Sequence, residues 1–173
     1  VSPFLPRGLT VRLTEAPTSK AYVDMTERLM RDVGVAFDAE TPGFDREWDA
    51  RWGEGMVLRA RRQRLAGFEV EIEPDLSGAT YFWAAAGLFP GARVEIAGLS
   101  RPLGCSLQGD AGFLRVMDRE AGFGCQTGVD EHGSWCRGPR RLRAIASCDL
   151  SDMPDTAMTA AVVACFAEPT EDN

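Results

Sequence analysis

The chain has 173 residues, enough for one sizeable domain or two smaller ones, and 45% hydrophobic with 26% charged residues is a globular composition. Its formal net charge of −7 argues against nucleic acid or an anionic membrane as the main partner, because both select basic surfaces. The sequence also lacks an apolar run of the roughly 18 residues that a membrane-spanning helix needs.

The first half of the chain alternates between predicted strands and one amphipathic helix. Apolar residues at helical spacing predict a helix over residues 22–33 that ends at Gly34. Residues 41–55 form an irregular insertion, and Trp48 and Trp52 within it are predicted to make a small core of their own rather than a ligand platform. The predicted strands cover residues 9–14, 35–37 and 68–72. Residues 56–64 are predicted to be a further strand followed by a basic run, residues 59–64, which is interpreted as a solvated edge.

The second half contains three further predicted helices. Residues 79–88 are almost entirely apolar, and residues 108–122 are amphipathic and follow a loop at residues 100–107. Residues 155–167 carry no charge after Asp155, which predicts a helix that is buried on nearly every side. The predicted strands cover residues 93–96, 123–126, 134–136 and 142–146, and a polar tail, residues 168–173, closes the chain.

The cysteines predict free thiols rather than a metal site. There are five, an odd number, without a C-x-x-C pair, and the only histidine is His132. This spacing does not favour zinc, and no metal is expected. Reduced thiols and the lack of a recognisable signal peptide predict a cytoplasmic protein. The cysteines are Cys105, Cys125, Cys136, Cys148 and Cys165.

The start of the last helix is the strongest candidate site. Pro154 fits the first helical position, and Asp155 follows in the first turn, where unpaired amide groups and the helix dipole favour a carboxylate. Such a carboxylate can accept hydrogen bonds from a ligand. The alternative is that Asp155 only caps its helix.

The chain also contains a divergent repeat. Residues 4–13 resemble residues 88–96, and each segment leads into an amphipathic helix that carries an acid and ends at glycine, followed by short strands. In each unit an Ala-rich helix then begins, with Ser77 where the next unit has Asp155. The repeat predicts an α/β fold of consecutive units cut from a longer protein.

Four segments in register closely resemble the family of 5-enolpyruvylshikimate-3-phosphate (EPSP) synthases. The resemblance covers essentially the whole chain and favours this family over its sister, the UDP-N-acetylglucosamine enolpyruvyl transferases. The four segments are Ser19-Lys20-Ala21-Tyr22-Val23-Asp24, residues 73–82 (EPDLSGATYF), Ser106-Leu107-Gln108-Gly109-Asp110, and residues 152–159 (DMPDTAMT).

The resemblance implies a fold of two lobes, each an inside-out α/β barrel of three β-α-β-α-β-β units. Residues 1–72 then form the last unit of one lobe, with the insertion at 41–55, and residues 73–173 begin the other lobe. The family's phosphoenolpyruvate-binding lysine and arginines lie outside the matched region. We therefore expect a fragment, truncated at both ends, that is inactive alone, has exposed apolar patches and aggregates.

The implied reaction transfers the enolpyruvyl group of phosphoenolpyruvate to the 5-hydroxyl of shikimate 3-phosphate, without metal or organic cofactor. Asp155 matches the family's shikimate-binding aspartate and proton acceptor, Ser19 a serine that contacts the substrate phosphate, and Tyr22 a tyrosine beside the same substrate. The implied partners are these two small molecules, neither nucleic acid nor membrane, and the full enzyme is expected to be monomeric. A stand-alone non-catalytic module of the same fold and the sister transferase are the alternatives.

Overall fold

The fold was obtained as a computed structural model, which describes residues 2–17, 19–40, 53–99 and 106–169. The chain divides into two compact units, Val1–Glu71 and Ile72–Asn173. Each unit combines helix with a small antiparallel sheet, which confirms the predicted α/β class. No helix in the described ranges is long and apolar enough to cross a membrane.

The first unit is a three-stranded sheet with one helix, α1 (Lys20–Asp32). The sheet has the order β1-β3-β2 and is antiparallel throughout, so the central strand pairs Ala60 with both Leu9 and Phe37. The prediction for the second strand was wrong by two residues at its start, because Val35 completes the end of α1. The strands are β1 (Leu9–Arg12), β2 (Phe37–Glu40) and β3 (Val57–Ala60).

Gly34 ends α1, as the sequence predicts. Its φ of +84° is in the left-handed region that favours glycine. The Gly34 amide donates to the carbonyl of Arg31 at 2.9 Å, and the Val35 amide donates to the carbonyl of Met30 at 2.8 Å. These two bonds satisfy carbonyl groups that the end of a helix leaves open.

The second unit packs α2 (Leu76–Leu88) over a second antiparallel sheet of the order β4-β6-β5. Its core is built around Trp83 on α2 and Phe113 on α3, both fully buried. The remaining elements are β4 (Arg93–Ala97), α3 (Phe113–Met117), β5 (Gln126–Val129), β6 (Gly133–Arg137) and α4 (Ala157–Ala164).

The prediction that the last helix is buried on nearly every side was wrong. Thr159, Ala160 and Val163 are buried on the side of α4 that packs against α2. On the opposite side Met158 is 76% exposed and Val162 53% exposed. An all-apolar sequence does not specify which side meets a neighbour, and the described residues place one helix beside α4. The exposed apolar patches expected from the sequence are therefore present.

The predictions of strands at residues 68–72 and 142–146 were wrong, because neither segment pairs with a neighbouring strand to form a ladder in the described part of the chain. Phe68 and Ile72 are 57% and 74% exposed, and residues 61–75 form neither helix nor strand. In the described part of the chain no ladder reaches residues 68–72. Residues 142–146 contribute only an isolated bridge between Arg143 and Glu168.

The third predicted helix is shorter than its pattern, and the following strand starts later. A 3-10 turn, Gly109–Gly112, precedes α3, which stops before Asp118. The Asp118 carboxylate accepts hydrogen bonds from the Glu120 amide at 2.9 Å and from the Thr127 hydroxyl at 3.1 Å, which turns the chain back. At Gly122 a Cβ atom would lie 2.0 Å from the carbonyl oxygen of Val116, so this return requires glycine.

Most of the predicted insertion, residues 41–52 with Trp48 and Trp52, lies outside the described residues. Its last residues form a turn that is tied to the first strand. The Gly55 amide donates to the carbonyl of Leu13 at 2.8 Å, and the Leu13 amide donates to the carbonyl of Met56 at 2.9 Å. The turn thus delivers the chain into the central strand of the first sheet.

Candidate functional site

The candidate site begins with a turn that fixes the approach to Asp155. The Asp149 carboxylate accepts hydrogen bonds from the amide of Ser151 at 2.9 Å and from its hydroxyl at 2.7 Å. These bonds, first that of the Ser151 amide, lower the pKa of Asp149. The Met153 amide then donates to the carbonyl of Leu150 at 3.0 Å. Local hydrogen bonds therefore order the segment before the acid.

Asp155 occupies the middle of a single 3-10 turn, Pro154–Thr156, that runs directly into α4. Thr156 is fully buried, and its amide and hydroxyl both donate to the carbonyl of Met153, at 3.0 and 2.8 Å. Met153, rather than Asp155, is the N-cap of this turn. Asp155 itself is an exposed residue in the first turn, at the positive end of the helix.

This turn is anchored to the core of the second unit. A Cβ atom placed on Gly112 would lie 3.0 Å from the Cε of Met153, so the Met153 side chain packs directly against the 3-10 turn before α3. The Pro154–Thr156 turn contacts α2, and α4 packs against the same helix. Asp155 thus lies on a turn that is held to the second unit by the partly buried Met153 and the buried Thr156.

The N-terminus of α2 has a different residue, Ser77, at the position that corresponds to Asp155. Asp75 caps the helix, and its carboxylate accepts the Gly78 amide at 3.2 Å. Ser77 is two residues after the cap, as Asp155 is two residues after Met153. The Ser77 hydroxyl donates to the buried carboxylate of Asp110. This correspondence is the one that the sequence repeat predicts.

A hydrogen-bond network connects two of the segments that carry the family resemblance. The Glu73 carboxylate accepts the Ser106 hydroxyl at 3.0 Å and the Leu107 amide at 3.2 Å. Gln108 donates to the carbonyl of Pro74 at 2.8 Å and accepts the Leu76 amide at 2.9 Å. The network holds residues 106–110 against the start of α2.

Sequence reasoning assigned no role to Glu73 or Gln108. The only signal for them was their place inside two of the four matched segments, since a contact between residues 35 positions apart leaves no periodic pattern. Three of the four segments therefore belong to one packed region of the second unit, which also carries Asp155.

The two other predicted site residues lie together at the start of α1, in the first unit. Ser19 is the N-cap residue and makes no side-chain capping hydrogen bond. Tyr22 follows within the first turn and is 37% exposed. Tyr22 also lines an apolar groove of about 420 Å³ between α1 and the sheet, together with Leu9, Val11 and Met30.

The prediction that the basic run is a solvated edge was wrong for Arg59 and Ala60, which lie on the central strand β3, whereas residues 61, 62 and 64 are exposed. Arg61 pairs with Asp38 at 3.7 Å, and both side chains are mostly exposed. The Gln63 side chain donates a hydrogen bond to the Ala36 carbonyl at 2.9 Å and accepts one from the Ala36 amide at 2.8 Å. These bonds connect the basic run to the residue before β2. An exposed ion pair such as Arg61–Asp38 is screened by solvent and contributes little to stability.

Within the described residues, no three His, Cys, Asp or Glu side chains come together in a group that could hold a metal ion. His132 and its neighbour Glu131 are both exposed, and the His132 Nε2 lies 3.8 Å from the Glu131 Oε1. Asp155 places a carboxylate at a helix N-terminus, and such a group can accept a hydrogen bond or a proton from a hydroxyl group.

Comparison with known proteins gives a consistent result. The sequence model for EPSP synthase (3-phosphoshikimate 1-carboxyvinyltransferase) matches residues 1–172. Similar curated proteins include 3-phosphoshikimate 1-carboxyvinyltransferases of Trichormus variabilis, 32% identical over 167 residues, and Syntrophobacter fumaroxidans, 34% identical over 160 residues. A chloroplastic 3-phosphoshikimate 1-carboxyvinyltransferase of Arabidopsis thaliana is 31% identical over 174 aligned residues.

These alignments cover 96%, 92% and 96% of this chain but 34%, 33% and 30% of the three relatives. The chain thus spans about a third of the length of the curated relatives that it matches. This coverage agrees with the prediction that the chain corresponds to part of a longer family member.

Proposed function

The chain belongs to the EPSP synthase family, and from this premise we propose that the protein containing it transfers the enolpyruvyl group of phosphoenolpyruvate to the 5-hydroxyl of shikimate 3-phosphate. Phosphate is the second product. The reaction belongs to aromatic amino acid biosynthesis and draws on no metal or organic cofactor. The observation that carries the proposal is the exposed Asp155 carboxylate on an anchored turn at the start of α4.

We propose Asp155 as the group that accepts the proton of the attacking hydroxyl. The hydroxyl oxygen must lose its proton as it bonds to the enolpyruvyl carbon, and a positioned carboxylate can take it. Thr156 is buried and donates two hydrogen bonds to the Met153 carbonyl. These contacts fix the backbone that carries the Asp155 side chain.

Ser19 and Tyr22 are proposed to bind shikimate 3-phosphate. Ser19 is the N-cap residue of α1, and a helix N-terminus with a nearby hydroxyl suits a phosphate group. Tyr22 is exposed within the same turn, where its phenol can contact the substrate ring. We further propose that the two compact units belong to the two lobes of the full enzyme, with the change of lobe at residues 72–73.

The remaining elements of the proposal concern partners and location. We propose that the full protein works as a monomer on small molecules and binds neither nucleic acid nor membranes, in keeping with its net charge of −7. Four described cysteines are free thiols, which supports a reducing compartment such as the cytoplasm.

The test uses the full-length protein encoded by the reading frame that contains these residues. Phosphate release is measured with both substrates for the wild type, Asp155→Asn and Asp152→Asn. The control residue is an exposed aspartate three positions earlier, in the turn before Pro154. We expect Asp155→Asn to lower kcat by roughly 100-fold or more, the range for loss of a general base, and Asp152→Asn to remain near wild type.

Two results would count against the proposal. Wild-type protein that binds shikimate 3-phosphate without releasing phosphate would identify a non-catalytic module. Equal rates for wild type and Asp155→Asn would remove Asp155 from the chemistry.

A further inference from the structure

Two cysteines lie side by side in the core of the second unit. Cys136 is on the central strand β6, and Cys125 immediately precedes β5. Both are fully buried and both are free thiols. Neither takes part in the function proposed above.

The strand register explains why these two thiols meet. Thr127 is paired with Cys136 across the antiparallel ladder, and Cys125 is two residues before Thr127 on the same face. Cys125 is therefore the diagonal neighbour of Cys136 across the ladder. The two sulfurs are close enough for each thiol to affect the pKa of the other through hydrogen bonding. A bulkier side chain above them is excluded, since a Cβ on Gly87 of α2 would lie 3.2 Å from the Cys125 sulfur.

Hydrogen bonding between the two thiols shifts their pKa values in opposite directions. It lowers the pKa of Cys125, against the opposing effects of burial and of the nearby Asp118 carboxylate. The same bond, with burial, raises the pKa of Cys136.

We propose that Cys125 and Cys136 are a redox-responsive pair that a peroxide converts into a disulfide bond within the second unit. The Cys125 thiolate attacks one oxygen of hydrogen peroxide, the O–O bond breaks, and a sulfenic acid and hydroxide result. The Cys136 sulfur then attacks the Cys125 sulfur, the S–O bond breaks, and the leaving hydroxide takes up the Cys136 proton. Two thiols and one peroxide give one disulfide and two water molecules.

The disulfide closes a short loop that contains β5 and most of β6. Closing a loop of this size restricts the unfolded chain and stabilises the folded sheet. We expect the oxidised chain to melt about 5–10 °C above the reduced chain. Because the pair is buried, a small oxidant that enters during local opening should react, whereas a bulky disulfide reagent should react slowly.

The sequence allows a direct test by mass spectrometry. The chain is used with Cys105, Cys148 and Cys165 replaced by serine, so that the pair is alone. Trypsin releases both cysteines in one peptide, residues 120–137, which contains no internal lysine or arginine. A second cut before Asp130 separates the peptide into halves that carry one cysteine each.

After treatment with hydrogen peroxide, the two halves should remain linked under non-reducing conditions and separate after dithiothreitol. Cys136→Ser in the same background should abolish the link, and its thermal transition reports whether it folds. Halves that separate without reductant would overturn the proposal, whether the thiols stay alkylatable or Cys125 proceeds to sulfinic acid. The linkage assay on the parent chain decides the matter even if the variant fails to fold.

Discussion

Gln108 is predicted to be the residue on which the start of α2 depends most. Its side-chain amide accepts the Leu76 amide at 2.9 Å and donates to the Pro74 carbonyl at 2.8 Å. It also donates to the Glu73 carboxylate at 3.3 Å. Gln108→Ala removes all three bonds and leaves backbone groups of a half-buried segment without partners. At about 1 kcal/mol for each neutral bond and somewhat more for the charged acceptor, the loss is about 2–4 kcal/mol.

Urea unfolding of the full-length protein that contains these residues measures this loss. Gln126→Ala is the matched control, because Gln126 is an exposed glutamine on β5 in the same unit. We expect a lower denaturation midpoint for Gln108→Ala at an unchanged slope, and a control within about 0.5 kcal/mol of wild type. A Gln108→Ala variant as stable as the control would refute the role assigned to this network.

Three further predictions concern substrate binding, backbone geometry and acid stability. In the full-length protein, Ser19→Ala should raise KM for shikimate 3-phosphate by about 10-fold, the effect of losing one hydrogen bond to a charged group, with kcat nearly unchanged in steady-state assays. Gly122→Ala should lower the free energy of unfolding by at least about 2 kcal/mol in urea, since its Cβ would meet the Val116 carbonyl oxygen at 2.0 Å. The hydrogen bond from the Glu120 amide, chiefly, lowers the pKa of Asp118 below 3.8, so its stabilising contribution is complete above that value and lost as the pH falls through the lower folded-state pKa. Stability measured from about pH 5 to pH 2 should therefore fall more steeply for wild type than for Asp118→Asn, and parallel curves would contradict this.

The sequence predicts best where the decisive interactions are local. The end of α1 at Gly34 follows from two backbone bonds within five residues, and the position of Asp155 follows from Pro154 beside it. The strand at Arg93–Ala97 is similarly clear from its alternation. In each case the residues that define the feature are neighbours in the chain.

The predictions were wrong or incomplete where the decisive contacts join residues that are far apart in the sequence. The alternation in residues 68–72 is a good strand pattern, but a strand also needs a paired neighbour, which no local pattern supplies. The uncharged sequence of α4 likewise states that the helix can be buried without saying which side is covered. The Glu73–Gln108 network depends on residues 35 positions apart, and its members could be recognised only as parts of matched segments.

The central claim is that the full-length protein forms an enolpyruvyl ether from two small molecules. The most direct measurement is ¹³C NMR of the full-length protein incubated with ¹³C-labelled phosphoenolpyruvate and shikimate 3-phosphate. We predict that the label moves from the phosphate ester into a carboxyvinyl ether at the 5-oxygen of shikimate 3-phosphate, with phosphate released in equal amount. Label that stays entirely in phosphoenolpyruvate, with a folded protein and both substrates present, would contradict the account.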